Sequence, residues 1–299
     1  MIMKVSIVIP NYNGEILLLK NLPSVINAGE NTNNCISEIL IVDDFSTDKS
    51  VGLIKKDFPE VKLIRHKANR GFTKTVNTGV RSSQGDLIVL LNIDVSVNKD
   101  FLESVLVHFN NPQVFGVSLH EKSYGPAKGA FQDGYIVHRA LREKDVTSNT
   151  FWISGGSGVF RRSSWIKLGG FDESLFDFYW EDVDLSYRAL KRGMRVLWEP
   201  NAKVFHKHES STSERFDKRK MQKKQERNQL LFIWKNLTSR NLFKKHIKGL
   251  IKRVIRNPGY IVIVLLALIK IKAVSKARSK ERKESKVSDE TIFAGFKND

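Results

Sequence analysis

An asparagine and an aspartate stand one residue apart at the end of a strongly apolar segment. Leu87–Leu91 is an unbroken apolar run, and Asn92, Ile93 and Asp94 follow it directly. Ligands of open α/β sheets bind beyond the carboxyl ends of the strands, so this position suits a ligand site. Oxygen-bearing side chains there can hold a hard divalent cation and the phosphates it carries. The alternative is a simple turn, since Asn and Asp also favour turns.

Three carboxylates form a second group with chemical potential. Residues 179–188 read YWEDVDLSYR, so Glu181, Asp182 and Asp184 follow two aromatic residues. Like charges this close, against an apolar wall, raise one another's pKa. A carboxylate tuned in this way can act as a general base near neutral pH. Acids also complement the dipole at a helix start. We expect both uses, with Asp184 and Arg188 as a structural pair.

Further candidate residues follow other predicted strands and open a predicted helix. Tyr12 follows the first strand and could stack on a base, and Asp43 and Asp44 close the second strand, where they could bond a ribose or base. Arg70 opens the third helix, whose amides and dipole could attract a diphosphate; a solvated arginine is the alternative. His206 ends a short apolar piece, and a neutral imidazole there could complete a metal site with Asp94; the alternative is a histidine that binds no metal, as most single histidines do.

Strand and helix signals alternate through the first half of the chain, which positions these groups. β-branched runs lie at residues 5–9, 38–42, 61–65 and 87–91, with helical stretches between them. This alternation predicts βαβ units, a parallel sheet and right-handed crossovers. The order loosens after Asp94: residues 115–119, 196–198 and 203–206 look extended, and residues 121–150 look irregular. Long irregular stretches in compact domains are often functional.

Charge divides the chain into two unequal parts. Residues 1–214 hold 26 Lys and Arg against 25 Asp and Glu, whereas residues 215–299 hold 24 against 7. We therefore expect a nearly neutral catalytic domain at residues 1–210 and a basic helical tail at residues 211–299. A basic tail favours contact with an anionic surface, and a nearly neutral domain argues against nucleic-acid binding. The single cysteine, Cys35, fits a reducing compartment.

The tail contains an unbroken apolar run at residues 260–269, flanked by lysines and arginines. Ten residues are too few to span a bilayer, which needs about 20. A segment lying in the interface of an anionic membrane is the favoured interpretation, and a core helix packed on the domain is the alternative. We expect a cytoplasmic protein held peripherally on the inner face of the membrane.

Taken together, several segments resemble the family 2 glycosyltransferases of the GT-A fold. The matching segments are VSIVIPNYNG at 5–14, EILIVDDFSTDKS at 38–50, NRGFTKTVNTGVRSSQGDLIVLLNID at 69–94, GGSGVFRRSSWIKLGGFDE at 155–173 and WEDVDLSYRALKRG at 180–193. They cover most of residues 4–208 in the family's order. The resemblance implies an α/β fold with a mostly parallel central sheet. It also implies inverting transfer of a sugar from a UDP- or dTDP-linked donor, with Mn2+ or Mg2+ on the diphosphate.

The resemblance also implies roles for individual residues. Asp182 matches the catalytic base, Asp94 the metal-binding aspartate, and His206 a histidine that ligates the metal in related members. Asn92 stands where the family's first metal-motif aspartate is usual, as in rhamnosyl- and galactofuranosyltransferase-like members, which could lower metal affinity. The residues expected to contact the donor are Pro10, Asn11, Tyr12, Asp43, Asp44, Arg70, Asn92 and Ile93. The residues expected on the acceptor side are Trp152, Gly156, Trp180 and Glu181. The stretch at 121–150 is expected to be an acceptor or lid element, because lids close over a site and exclude water.

Two other classes of function remain open at the level of sequence. A nucleotidyltransferase also uses a nucleotide-binding α/β fold and a metal, but residues 11–14 lack the glycine-rich basic loop typical of that class. A non-enzymatic protein that binds membranes or nucleic acid would explain the tail but not the acids at 181–184. For the enzyme, we expect a nucleotide-sugar donor, a cell-surface glycan or lipid-linked acceptor, and an anionic membrane as partners.

Overall fold

The computed structural model of the chain describes residues 3–206 and 217–297. Its strands are β1 (Val5–Asn11), β2 (Ile36–Asp43), β3 (Lys62–Arg65), β4 (Leu87–Leu91), β5 (Val95–Val97), β6 (Val114–Glu121), β7 (Ala127–Gln132), β8 (Tyr135–Ala140), β9 (Ser148–Asn149), β10 (Ser157–Arg161) and β11 (Arg195–His206). Its α-helices are α1 (Glu15–Gly29), α2 (Ser50–Asp57), α3 (Phe72–Ser82), α4 (Glu103–Leu106), α5 (Arg162–Leu168), α6 (Glu181–Lys191), α7 (Lys218–Asn236), α8 (Arg240–Arg256), α9 (Ile261–Leu268), α10 (Ile271–Glu284) and α11 (Asp289–Ala294).

Most strands form one mixed sheet in the order β3-β2-β1-β4-β10-β6-β11-β5, with β9 paired to β11. The first four are parallel, as the alternating strand and helix signals predict. β10 runs antiparallel to both β4 and β6. Every residue of β1 and β4 is buried, as expected for strands covered on both faces.

The register of the parallel strands aligns their carboxyl ends. Asn11 at the end of β1 lies opposite Asp43 at the end of β2, and Val8 lies opposite Leu90 near the end of β4. The polar residues that follow these strands therefore meet at one edge of the sheet, where the sequence predicts a ligand site.

Two predictions about the second half of the domain require correction. The pieces at 196–198 and 203–206 belong to one strand, β11. Its pairing with β6 shifts register between Trp198 and Lys203, and the residues between these two positions interrupt the alternating pattern that predicts a strand. The stretch at 121–150 contains the β7–β8 hairpin instead of being irregular throughout. Asp133 and Gly134 both have positive φ, which suits the two-residue turn of a hairpin.

The helices after residue 217 complete a shared apolar core. The second half of α7 buries Leu230, Leu231, Phe232 and Ile233 in one cluster with residues of the β7–β8 hairpin and of α6. The predicted apolar side of this helix is thus covered by protein. The division into domains at residue 210 stays a prediction, but the two parts share hydrophobic packing.

Buried charges also join the C-terminal helices to α6. The predicted pair between Asp184 and Arg188 is confirmed at 2.8 Å. Lys235 Nζ and Asn236 Nδ2 of α7 donate to the same carboxylate at 2.8 and 2.7 Å. Breaking a buried pair by removing one partner typically costs about 3–5 kcal/mol, so α6 and α7 depend on each other.

Candidate active site

Residues after β1, β2 and β4 line a cavity of about 580 Å³ at the carboxyl edge of the sheet. Its walls include six predicted donor residues, namely Pro10, Asn11, Tyr12, Asp44, Asn92 and Ile93. The Tyr12 ring is 46% exposed and so is accessible to a planar ligand. Asn11 is held by bonds from its Nδ2 to Asp43 and Ser46. We call this space the donor cavity.

A neighbouring cavity of about 570 Å³ shares Asn92 and Asp94 with the donor cavity. Its wall also contains Gly156, Glu181, Asp182 and His206. We call this space the catalytic cavity. The fold therefore brings together the end of β4, the loop before β10, the start of α6 and the end of β11.

Two glycines allow the loop before β10 to approach both groups of polar residues. A Cβ atom on Gly156 would lie 2.4 Å from Asn92 Nδ2, so the Asn92 side chain packs directly on this backbone. The backbone N–H of Asn92 donates to the Gly156 carbonyl oxygen at 2.9 Å. The Gly155 amide donates to Asp182 Oδ2 at 3.1 Å. The same loop thus positions Asn92 on one side and Asp182 on the other.

His206 bridges two carboxylates in the catalytic cavity. Its Nε2 lies 3.1 Å from Asp94 Oδ1, and its Nδ1 lies 3.1 Å from Glu121 Oε2. Burial lowers the pKa of His206, but the bonds to Asp94 and Glu121 outweigh burial and raise it to about 9. Ser154 and Ser157 donate to the other oxygen of Glu121. Glu121 is therefore fixed, and it holds the His206 ring with Nε2 toward Asp94.

The side chains of Asp94 and His206 fit a divalent cation whose remaining ligands come from the substrate. Within residues 3–206 and 217–297, no three His, Cys, Asp or Glu side chains are arranged to hold a metal ion by themselves. Asp94 offers one carboxylate, and His206 offers one imidazole once a bound cation displaces the proton that Asp94 and Glu121 favour on the ring. A carboxylate behind the imidazole is usual for metal-binding histidines. Ions such as Mg2+ are commonly bound by one or two protein ligands plus substrate phosphates. The residues present fit Mn2+ or Mg2+ on a diphosphate.

Glu181 and Asp182 experience different environments at the start of α6. Burial, with the neighbouring Asp182 charge, raises the pKa of Glu181 well above its ordinary value. Burial also raises the pKa of Asp182, but the Val183 and Gly155 amides bond to this carboxylate and oppose the rise. The bonds from the two amides therefore favour the charged form of Asp182, whereas burial and the neighbouring charge disfavour the charged form of Glu181. Pairs whose environments separate their pKa values are typical of acid–base sites.

Two predicted donor residues lie outside the walls of both cavities. Asp43 is fully buried behind the wall of the donor cavity. Its Oδ1 accepts a hydrogen bond from Asn11 Nδ2, and its Oδ2 lies 3.3 Å from Arg65 Nε. Asp43 therefore positions Asn11. The Arg70 side chain is exposed, and its amide donates to Asp44 Oδ1 at 2.8 Å. This amide is occupied by Asp44 and does not face a diphosphate. The sequence pattern located both residues at the correct edge but could not give the direction of their groups.

The two predicted acceptor-side tryptophans also lie outside these walls. Trp152 and Trp180 pack edge-on against His138 of β8, with ring centroids 4.4 and 4.9 Å from the imidazole. Burial among these rings lowers the pKa of His138 to about 4. The tryptophans thus anchor the β7–β8 hairpin to the start of α6, which gives them a supporting position beside Glu181.

Sequence reasoning missed two contributions to the site. Glu121 ends β6, and its distance of 85 residues from His206 hides their contact. The N-terminal half of α7 supplies Lys218 and Met221 to the catalytic cavity, and Lys220 and Lys224 to the donor cavity. The basic character of this helix was visible in the sequence. Its position over the sheet edge could not be read from local pattern.

Comparison with known proteins identifies the family. A family model described as glycosyl transferase family 2 matches residues 6–169, which is more than half of the chain. The chain belongs to glycosyl transferase family 2. The pre-mycofactocin glycosyltransferase of Mycobacterium tuberculosis is 30% identical over 181 residues, which cover 57% of this chain and 37% of that protein. The chain thus corresponds to well under half of that relative.

Solved structures confirm the GT-A fold of this family 2 chain. GalNAc-T7 with UDP, GalNAc and Mn2+ aligns with a TM-score of 0.62 at 17% identity, covering 87% of this chain and 57% of that chain. A mannosyltransferase from Pyrobaculum calidifontis in complex with GDP-Man and Mn2+ aligns with a TM-score of 0.58 at 14% identity, covering 99% and 86%. The resemblance to rhamnosyl- and galactofuranosyltransferases within the family stays a prediction.

Proposed function

We propose that this chain is an inverting glycosyltransferase that moves a sugar from a UDP- or dTDP-linked donor to a hydroxyl group of a glycan or lipid-linked acceptor. The observation that carries the proposal is the position of Asp182. This carboxylate lines the cavity that also contains Asn92 and Asp94, and the Gly155 amide holds it in place. A base and a diphosphate site that line one cavity are what a single displacement requires.

The donor cavity supplies groups for each part of a nucleotide diphosphate. Tyr12 offers an aromatic face to the base, and Asn11 and Asp44 offer polar groups to the base or ribose. Lys220 lies in the same wall and brings positive charge toward the phosphates. The related proteins crystallised with UDP or GDP-Man support a nucleotide-sugar as the ligand.

Asp94 and His206 are the residues that would hold a Mn2+ or Mg2+ ion. When bound, such an ion supplies positive charge that stabilises the departing diphosphate. Glu121 keeps the imidazole oriented for this task through its bond to Nδ1. Asn92 places an amide group beside Asp94, in contact with the Gly156 backbone.

Asp182 acts as the general base in this proposal. Its carboxylate accepts the proton of the acceptor hydroxyl while that oxygen bonds to the anomeric carbon. The bond from the anomeric carbon to the diphosphate oxygen breaks on the opposite face, so the configuration inverts. Burial raises the pKa of Glu181, which disfavours a second negative charge beside Asp182. General-base contributions of this kind are typically about 10²- to 10⁴-fold in rate.

A screen of nucleotide sugars tests the proposal. UDP-, dTDP- and GDP-sugars are incubated with the full chain and Mn2+, and the released nucleoside diphosphate is measured. We expect release from at least one UDP- or dTDP-sugar, loss of release on chelation, and no loss in the surface variant Asp100→Asn. If no donor is turned over and no nucleoside diphosphate binds in calorimetry with Mn2+ present, the proposal is wrong.

A further inference from the structure

The outer faces of α8 and α9 carry large apolar side chains that no described part of the chain covers. On α8, Ile247, Ile251 and Ile255 are exposed at intervals of four residues, with Ile255 73% exposed. Residues four apart lie on the same side of a helix. On and just after α9, the exposed apolar residues are Ile261, Val262, Leu265, Leu266, Leu268, Ile269 and Ile271. These two sets of exposed residues lie on consecutive helices joined by the turn at Pro258–Tyr260, and we call them together the α8–α9 face.

A row of cations runs beside the isoleucines of α8. Lys244, Lys248, Lys252 and Arg256 are all exposed and also recur every four residues. This row is displaced by one residue from the isoleucine row, so the two rows run side by side along the helix. An apolar stripe next to a basic stripe is the pattern of helices that lie in the interface of an anionic membrane.

The inner side of α8 is packed against the rest of the protein, so its exposed residues hold their positions without a binding partner. Leu242 and His246 of α8 are buried, and His246 bonds both Trp234 and the Gly134 carbonyl. Gly249 lies so close to the hairpin turn that a Cβ atom would be 2.4 Å from the Asp133 carbonyl oxygen.

The junction of α8 and α9 is also fixed. Arg253 lies over the rings of Tyr135 and Tyr260, 5.0 and 4.2 Å from their centroids. Ile263 and Ala267 of α9 are buried in the core shared with α7. The exposed residues therefore remain on the outside because the inner residues already occupy the core.

We propose that the α8–α9 face is a docking surface for an anionic lipid bilayer, into which the apolar rows insert while the cations contact the headgroups. Large exposed apolar patches mark interaction sites. The adjoining lysines and arginines select negative charge, each contributing attraction near an anionic surface. No single helix among residues 3–206 and 217–297 is long and apolar enough to cross a membrane. Residues Pro258–Leu268 and Ile271–Glu284 have sufficient length and apolar content only as a pair, with a bend of 71° between them.

The first experiment removes the apolar contribution without changing charge. The variant Ile251→Ser/Ile255→Ser/Leu265→Ser/Ile269→Ser is compared with the full wild-type chain in sedimentation with phosphatidylglycerol vesicles. We expect at least about a tenfold lower partition coefficient, because four inserted side chains are lost. The control Val107→Ser/Val146→Ser/Ile166→Ser changes residues of 60%, 65% and 50% exposure elsewhere and should bind as wild type. Unchanged melting temperatures verify folding, and Ile255→Ser alone serves if the fourfold variant is unstable.

The second experiment separates the charge contribution. Lys248→Gln/Lys252→Gln/Arg256→Gln should weaken binding to phosphatidylglycerol vesicles and leave the weaker binding to phosphatidylcholine vesicles unchanged. The control Lys55→Gln/Lys56→Gln/Lys203→Gln alters three exposed lysines on other surfaces. Equal loss in both charge variants would mean that net charge, not this surface, causes binding.

Two further results would overturn the proposal. The apolar face could instead join two copies of the chain. In that case the fourfold serine variant would convert a dimer to a monomer in sedimentation velocity and leave vesicle binding unaltered. The bent helix pair could instead cross the bilayer. In that case protease enclosed inside the vesicles would cleave residues 285–297. We expect a lipid-free monomer and cleavage only from the outside.

Discussion

The positions of the residues at the donor cavity can be read from local sequence, whereas those of the C-terminal helices depend on contacts between distant parts of the chain. At the donor edge, each polar residue follows its own buried strand, and the parallel register brings Asn11, Asp43 and Asn92 to one place. In the C-terminal helices, the position of each residue depends on partners far away in the chain. Asp184 meets Lys235 and Asn236 about fifty residues later.

The difference shows why total charge is a poor guide to where a segment lies. The sequence after residue 214 is strongly basic, which led us to expect a tail outside the catalytic domain. Yet α7 alone contains a buried apolar half and a half that lines both cavities. Among residues 217–297, the exposed large apolar side chains lie on α8, on α9 and just after it. The basic region after residue 214 therefore includes one helix, α7, that packs into the core and lines the cavities. It also includes two helices, α8 and α9, whose outer sides are exposed to solvent.

Removing the C-terminal region should have the largest effect on the molecule. A chain that ends at residue 210 loses the α7 residues of the shared core and the two α7 partners of Asp184, Lys235 and Asn236. We expect no cooperative thermal unfolding by calorimetry or circular dichroism.

A pair of point variants in the same region refines the test. Leu231 is fully buried, so Leu231→Ala should lower the free energy of unfolding by about 2–5 kcal/mol. Leu265 is about half exposed, so Leu265→Ala should change this free energy little. A truncated chain that melts within a few degrees of the full chain would establish residues 1–210 as an autonomous domain.

Asp94→Ala should abolish metal-dependent nucleotide binding without affecting the fold. The substitution removes the carboxylate that pairs with His206 Nε2 and lines both cavities. Calorimetry with UDP or dTDP and Mn2+ should show no binding for Asp94→Ala and weaker binding for His206→Ala. The exposed Asp100→Ala is the control. Wild-type affinity in both site variants would remove the metal site from the account.

Glu121→Gln should weaken metal binding less severely than Asp94→Ala does. The substitution keeps the shape of the side chain but removes the charge behind the His206 ring. Loss of such a supporting group typically lowers metal affinity by about 10- to 100-fold. Glu143→Gln is a matched control, because Glu143 contacts His120 away from the site. Titration of Mn2+ by electron paramagnetic resonance measures the difference, and equal affinities in the two variants would contradict the positioning role.

The junction between the β7–β8 hairpin and α6 should show a modest pH dependence. Burial between Trp152 and Trp180 lowers the pKa of His138 to about 4, below its ordinary value of 6.5. The unfolded chain therefore binds more protons between these pH values, and stability falls as the pH falls through this window. The contribution is on the order of 3 kcal/mol at most. Thermal melts from pH 7 to pH 4.5 should fall less steeply for His138→Gln, and an equal slope would refute the assignment.

Sequence alone predicted the α/β fold class, the parallel half of the sheet and the sheet edge where much of the candidate site lies, for a physical reason. A buried strand that ends in polar residues places them at the sheet edge regardless of what surrounds the sheet, so Tyr12, Asp44 and Asn92 line the donor cavity at that edge. The same rule says nothing about side-chain direction, and Asp43 turned out to lie behind the wall. The contacts of Glu121 with His206, and of α7 with the cavities, depend on long-range packing that local periodicity does not encode.

The catalytic role of Asp182 tests the central claim most directly. Asp182→Asn removes the charge but keeps a side chain of nearly the same shape beside the Gly155 amide. With the donor and Mn2+ identified by the nucleotide-sugar screen, we predict that kcat falls by at least about 100-fold, while the calorimetric affinity for the nucleoside diphosphate is kept. Asp100→Asn should leave both quantities unchanged. A folded Asp182→Asn protein that turns over at near wild-type rate would contradict the assignment of the base and the mechanism built on it.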